Sequence, residues 1–558
     1  MILGIDVGGT HTDAVLMDGL TVVKKAKVRT DEENLLASLL AATNELVDSR
    51  VSVQLHRVVL STTLSTNAIV QNKIDRVGLL LISGPGLPPQ LPVFEQDSCF
   101  LTGYTNHRGR ESACLDDGQA ANAIRQFRAM GINHLGIVGK FSPRNPHQEM
   151  ALGRLAADQM HHISFGHRLS GHLNFPRRIA TTYLNEAVWN RYRRFATEVL
   201  NFAAARGIGA PICILKADGG TIDIRHSVEF PAQTILSGPA ASVMGILALA
   251  GCQSDAIALD IGGTTTDIVL FADGAPLMEP FGATIEGHKT LIRGLRTRSI
   301  GIGGDSVVDY REGELQIGPR REGIAAALGG PFPTPTDAMI LLGMTDIGCR
   351  DRAAAALQPI AAAMGAGVNQ AATAIFRETC RKISVAVRAL IDEINNQPVY
   401  TIHELLEGRL IRPRTLYVVG GPAQAMAPEL SRLLACEPCV PAHAEAANAI
   451  GAALARTTAE LTLLADTEQR LLTIAEEGFQ CEIPSRFTRE DAIRTALAKL
   501  REKASRMGAA EQDMDLEVLE AQEYNMVREF RTTGKNIRVT VQIKPGVIGS
   551  LTPKENRC

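Results

Sequence analysis

Aromatic side chains make up only 4% of this 558-residue chain, and Trp189 is its single tryptophan. With no aromatic platform for bases and a net charge of −3, it shows neither the stacking surface nor the basic stripe of a nucleic-acid partner. No apolar run approaches the roughly 20 residues of a membrane helix. Met1 leads straight into the apolar run Ile2-Leu3-Gly4-Ile5, so the expectation is no signal peptide, no membrane contact and a cytoplasmic location. The ten cysteines form no framework and read as reduced thiols. Cys436-Glu-Pro-Cys439 has only His443 nearby to extend a zinc set, and reads as a chance spacing. His161, His162, His167 and His172 match no zinc motif and read as a solvated loop between helices. The remainder, 45% apolar and 21% charged, suits a globular enzyme of two or three domains.

What the chain does have is a near-perfect internal repeat. Asp6-Val-Gly-Gly-Thr-His-Thr-Asp-Ala-Val-Leu16 returns 254 residues later as Asp260-Ile-Gly-Gly-Thr-Thr-Thr-Asp-Ile-Val-Leu270, with eight identities in eleven positions. Apolar runs flank each copy, so each reads as strand, tight Gly-Gly turn, strand. Glycines at 8, 9, 262 and 263 can take positive φ and let backbone amides converge on a phosphate. Thr10, Thr12, Thr264 and Thr266 add hydroxyls beside those amides. Asp6 and Asp260, at the strand ends, can hold a hydrated Mg²⁺. Asp13 or Asp267 capping an ordinary hairpin is the simpler reading of one copy, and the duplication argues against it.

Further runs extend the pattern. Leu416-Tyr-Val-Val-Gly-Gly-Pro-Ala423 is a strand entering a Gly-Gly turn at Gly420 and Gly421, and Glu445 to Leu454 reads as a small-residue helix suited to close packing. Between the hairpins stand Ser61-Thr-Thr-Leu-Ser-Thr-Asn-Ala68, Phe141 to Glu149, Lys216-Ala-Asp-Gly-Gly-Thr221, Thr234 to Ala241 and Ile300-Gly-Ile-Gly-Gly-Asp-Ser306. With the two hairpins, these resemble the hydantoinase A / 5-oxoprolinase family, within the actin, sugar kinase and heat-shock-protein ATPase superfamily. The resemblance covers about residues 1 to 456. It implies two duplicated actin-like (ribonuclease H-like) α/β domains around a nucleotide cleft; beyond it, the helix and strand pattern after 457 reads as a small C-terminal α+β appendage. It further implies ATP and Mg²⁺, a small cyclic amide as substrate and a B-type partner subunit; a homo-oligomer is left open. Asp6 and Asp260 are the implied catalytic and metal residues. Gly303 and Gly304 are placed near the nucleotide, and Gly420 and Gly421 near its adenosine. Ser83 to Pro89, Ala325 to Pro331 and His11 depart from the family pattern where substrate or partner would touch.

The chemistry needs ATP for a physical reason. Resonance protects an unstrained amide from water, and phosphorylating its oxygen creates an imidate with a good leaving group. Two other classes stay open: a small-molecule kinase, with Asp305 or Asp218 as base, and a conformational ATPase or ATP-dependent carboxylase subunit. The expected divisions are residues 1–80 with the first hairpin, 81–230 as a mixed segment, 231–456 with the second hairpin and adenosine segment, and 457–558 as the appendage. Helices are expected at 117–130, 178–206, within 351–395 and at 489–507, and strands at 516–526 and 536–543. Ser237 or Gly238 is expected to cap a helix carrying Pro239, and Pro331 to Thr336 to form a loop.

Overall fold

The computed structural model describes residues 1–31, 33–86, 97–396 and 410–551. Two sheets repeat one plan. In the first, Ile2–Val7 pairs antiparallel with His11–Asp18 and parallel with Arg57–Thr62, which in turn pairs parallel with Ile212–Leu215. In the second, Ala256–Ile261 pairs antiparallel with Thr266–Ala272 and parallel with Thr415–Val419, followed in parallel by Glu437–Cys439. All six residues of Ile2–Val7 are buried, as a central strand covered on both faces requires. These are the two duplicated actin-like α/β halves.

Helices Ser237–Ala250 and Ala447–Leu454 lie between the sheets, in one apolar cluster that includes Ile2, Val15, Ala258 and Val269. They cross at bare backbone. A Cβ on Gly245 would stand 2.2 Å from the Ala447 carbonyl oxygen, and one on Gly451 2.1 Å from that of Ala241. Gly4 meets the same helix, 2.3 Å from the Ala449 oxygen. Small residues at 445–454 therefore set how near the halves approach.

The chain between the first hairpin and residue 212 adds a second, parallel sheet of four strands, in the order His162–Phe165, His134–Gly139, Val77–Ile82, Ser98–Phe100. A boundary at residue 80 falls inside Val77–Ile82, and Ile212–Leu215 returns to the first sheet. Helices Asp117–Ala129, Phe175–Ala205, Arg350–Ala363, Val368–Asn395 and Arg489–Arg506 lie where periodicity puts them. The Pro331–Thr336 loop ends early, because Thr334 caps helix Pro335–Leu341 with a reciprocal Asp337 bond.

The C-terminal part is a five-stranded sheet, Glu460–Asp466 at its centre and the hairpin Leu516–Arg528/Arg531–Ile543 at one side, with helix Arg489–Arg506. Leu461, Leu463, Ile537 and Leu500 share one apolar core with Ile5, Leu60 and Ile214 of the first sheet. The Thr221 amide donates to the Arg456 carbonyl at 2.9 Å. The appendage thus completes the core of the first half.

Candidate functional site

Both hairpin turns close the same way. The Gly8 amide donates to the His11 carbonyl at 3.1 Å, and the Gly262 amide to that of Thr265 at 2.9 Å. None of Gly8, Gly9, Gly262 or Gly263 has a positive φ, contrary to the expectation from sequence. Their value is space: a Cβ on Gly9 would meet nothing within 4 Å, so the turn presents bare backbone to the cleft. Thr10 and Thr264 are partly exposed. Thr12 and Thr266 are fully buried and turned inward, their hydroxyls paired with Thr30 at 3.0 Å and the Ile302 carbonyl at 2.7 Å. These two hydroxyls serve the fold.

Each hairpin carries a cross-strand carboxylate pair, Asp6 opposite Asp13 and Asp260 opposite Asp267. Burial pushes Asp6 up to about 7; Asp13 and Asp260 add repulsion, while Ser61 and Asn448 oppose the rise. Burial and the charge of Asp260 lift Asp267 to about 7 as well. Burial also raises Asp13, against the attraction of Lys27. Asp6 Oδ1 is buried without a hydrogen-bond partner. Asp260 Oδ2 accepts from Ser242 Oγ and, at 3.2 Å, from Asn448 Nδ2. Asn448, on an interlobe helix, therefore links the two strand-end carboxylates; its amide among alanines was the available sequence signal.

An orphaned buried oxygen amid repelling carboxylates fits a divalent cation. Among the described residues no three His, Cys, Asp or Glu side chains form a ready metal cage. That suits an ion completed by water and phosphate, as Mg²⁺ commonly is.

The 301–306 turn braces the second hairpin. Gly304 and Asp305 amides donate to the Gly262 and Gly263 carbonyls at 2.9 and 2.7 Å. A Cβ on Gly303 would lie 2.6 Å from both of those oxygens, so only glycine permits the contact. Gly420, at φ +95°, backs the same strand end, where a Cβ would stand 3.0 Å from Asp260 Oδ1; Gly421 is open.

Other expectations are revised. Leu236, in the left-handed region, precedes the 237–250 helix without a side-chain cap, and Ser237 Oγ instead donates to the Thr62 carbonyl at 2.9 Å. The Asn67 side chain donates to Thr63 Oγ1 at 3.2 Å. The histidine stretch is no solvated loop. His162 Nδ1 bonds buried Glu186 at 2.7 Å and its ring stacks on Trp189 at 3.8 Å, while His167 pairs with buried Glu149. Cys436 Sγ donates to the Pro413 carbonyl, and Cys99, Cys114, Cys213, Cys252, Cys349, Cys380 and Cys481 are free thiols like it. Ser83 to Gly86 lie within the described residues and Leu87 to Pro89 outside them.

The family model for hydantoinase/oxoprolinase matches residues 178–461, and that for the hydantoinase/oxoprolinase N-terminal region matches 2–160. The acetophenone carboxylase gamma subunit of Aromatoleum aromaticum is 25% identical over 389 residues, covering 61% of this chain and 53% of that protein. The caprolactamase subunit alpha of Pseudomonas jessenii is 25% identical over 379 residues, covering 61% and 54%. The chain spans about half the length of these curated relatives. Among solved structures, the ATP-dependent caprolactamase from Pseudomonas jessenii superposes with a TM-score of 0.72 at 20% identity, covering 97% of this chain and 87% of that one. A nucleotide-free acetone carboxylase gives 0.71 at 18% identity, covering 100% and 89%. Repeated hairpins, braced glycine turns and the extent of the family match lead to one assignment: the chain belongs to the hydantoinase/oxoprolinase family.

Proposed function

We propose that this chain is the ATP-using subunit of a hydrolase that phosphorylates the carbonyl oxygen of a small cyclic imide or lactam, working in the cytoplasm with a B-type partner. The observation that carries this reading is the duplicated hairpin pair, its strand-end carboxylates linked through Asn448. Amides and hydroxyls around Gly9, Thr10, Gly263 and Thr264 would hold the phosphates, with Gly421 beside the adenosine. Asp6 and Asp260 would hold Mg²⁺, which when bound neutralises phosphate charge. Gly303, Gly304 and Gly420 act through backbone placement of the second hairpin and Asp260. The γ-phosphoryl moves from ATP to the amide oxygen, releasing ADP; water adds to the activated carbon, the C–N bond breaks with the ring nitrogen leaving as the protonated amine, and a second water cleaves the resulting acyl phosphate to carboxylate and inorganic phosphate.

A carboxylase reading has its own support in the likeness to the acetophenone carboxylase gamma subunit. There the phosphoryl acceptor would be a ketone's enolate oxygen, presented to the same clamp. Phosphate release from Mg-ATP, measured with 5-oxoproline, hydantoins, lactams and, with bicarbonate, simple ketones, tests both. Stimulation by a cyclic amide is expected. Stimulation by ketones alone moves the reading to carboxylation, and no stimulation with or without a co-purified partner defeats both.

A further inference from the structure

Beside the first hairpin, the sheet carries a second charged group that the phosphate clamp does not use. Ile2–Val7, Arg57–Thr62 and Ile212–Leu215 run parallel, and their carboxyl ends form one edge, the usual place for ligands in such sheets. Lys216 follows the third strand, level with Thr62 and two strands, ~10 Å, from Val7. Lys216 and Asp218 are 6% and 2% exposed. Asp218 accepts from the Gly220 amide at 2.9 Å and Thr458 Oγ1 at 2.7 Å, and faces Lys216 Nζ at 3.4 Å and Arg293 Nη1 at 3.5 Å. Lys216 Nζ also donates to the Thr458 carbonyl at 3.0 Å.

Ion pairing alone accounts for Lys216 and Asp218, but not for what stands next to them. A cavity of about 90 Å³ opens here, with Ala232, Leu291 and Ile292 in its apolar wall and Arg293 and Glu476 in its polar one. Arg293 Nη1 and Glu476 Oε2 are buried without a hydrogen bond, and Glu476 is only 9% exposed. Arg293 Nη1 keeps its ion-pair contact with Asp218 at 3.5 Å, whereas Glu476 Oε2 has no hydrogen-bond partner, and leaving such a buried group without a hydrogen bond costs about 1–3 kcal/mol. A ligand that satisfies both needs an acceptor for the guanidinium and a donor for the carboxylate, on a small apolar body. An open-chain secondary amide is trans, with N–H and C=O on opposite sides. Ring closure of a small lactam forces them onto one edge, where two residues lining the same cavity can reach both.

We propose that this cavity binds the cyclic amide, Arg293 taking the carbonyl oxygen and Glu476 the ring N–H. The assignment rests on the lactam reading above and adds its binding residues and its selectivity. The size of the cavity restricts the ligand to one small ring.

Saturation-transfer NMR on the full chain with 2-pyrrolidinone, N-methyl-2-pyrrolidinone and N-methylacetamide tests it. 2-Pyrrolidinone is expected to bind, and the other two to bind at least tenfold more weakly, one lacking the donor and the other the cis edge. Glu476→Gln and Arg293→Lys should each weaken 2-pyrrolidinone about tenfold or more, with melting temperature and binding of an ATP analogue unchanged. Should either variant unfold, Ala232→Val narrows the cavity without touching its charges and should weaken binding likewise. If wild type binds 2-pyrrolidinone and folded variants match it, the cavity assignment is wrong while the lactam reading stands. If wild type binds none of the probes and no cyclic amide stimulates phosphate release, both are wrong.

Discussion

The two repeated hairpins share eight of eleven residues yet sit in different surroundings. The first is open at its tip: Gly9 is exposed with nothing near its α-carbon, and one backbone bond, Thr30 amide to Thr10 carbonyl at 3.0 Å, steadies it. The second is sheathed by the 301–306 turn, which takes up the carbonyls of Gly262 and Gly263. Bonding of both carbonyls holds the second turn in place, with the Asp305 carboxylate close against Gly263, so the second turn is the more fixed of the two. Near-identical sequence thus yields one fixed and one adaptable jaw, and the neighbours make the difference.

Removing the shared chemistry should have the largest effect: Asp6→Asn or Asp260→Asn is expected to lower Mg-ATP turnover about 100-fold or more, with circular dichroism unchanged. Wild-type turnover in both would end the clamp reading. The contrast itself is probed by alanine at glycine. Gly303→Ala, meeting two carbonyl oxygens at 2.6 Å, should cost ~1–3 kcal/mol of stability and raise the KM for ATP about tenfold, whereas Gly9→Ala should melt like wild type. Equal melting of the two would erase the distinction between jaws.

The carboxylates predict a pH dependence with a definite sign. Asp6 has a native value of about 7 against an ordinary 3.8, so between those values the folded state holds more protons than the unfolded one. The contribution of Asp6 to the stability of the nucleotide-free protein is therefore full below about pH 4 and is lost as pH rises through 7, and Mg-ATP should reverse that loss. Melting curves across that window check it, and Asp6→Asn should flatten them. The smallest effect is expected from Thr10→Ala and Thr264→Ala, each raising the KM for ATP about three- to tenfold. A much larger loss at Thr264 would place more of the phosphate on the fixed jaw.

The hairpins were legible because a tight turn between two strands needs contiguous glycines and polar residues, and duplication wrote it twice. The helix at 445–454 was legible from its small residues. Burial partners far apart in the chain were not. Nothing near His162 announces Glu186, 24 residues on, or Trp189 beneath the ring, so a packed polar core reads as a solvated loop. Thr12 and Thr266 look like ligands because a strand's inward and outward faces alternate by one residue, and only the observed register shows them turned inward. Orphaned atoms such as Glu476 Oε2 have no sequence signature at all, since a missing partner is a property of space.

The crossing of the helices at Gly245 and Gly451 has a mechanical consequence. Here backbone meets backbone at Gly245 and Gly451, so the distance between the two helices is set by the absence of side chains at those two positions. A single methyl at either glycine would meet a carbonyl oxygen of the facing helix at 2.2 or 2.1 Å and wedge the helices apart, so the spacing between the two sheets is set outside both hairpins.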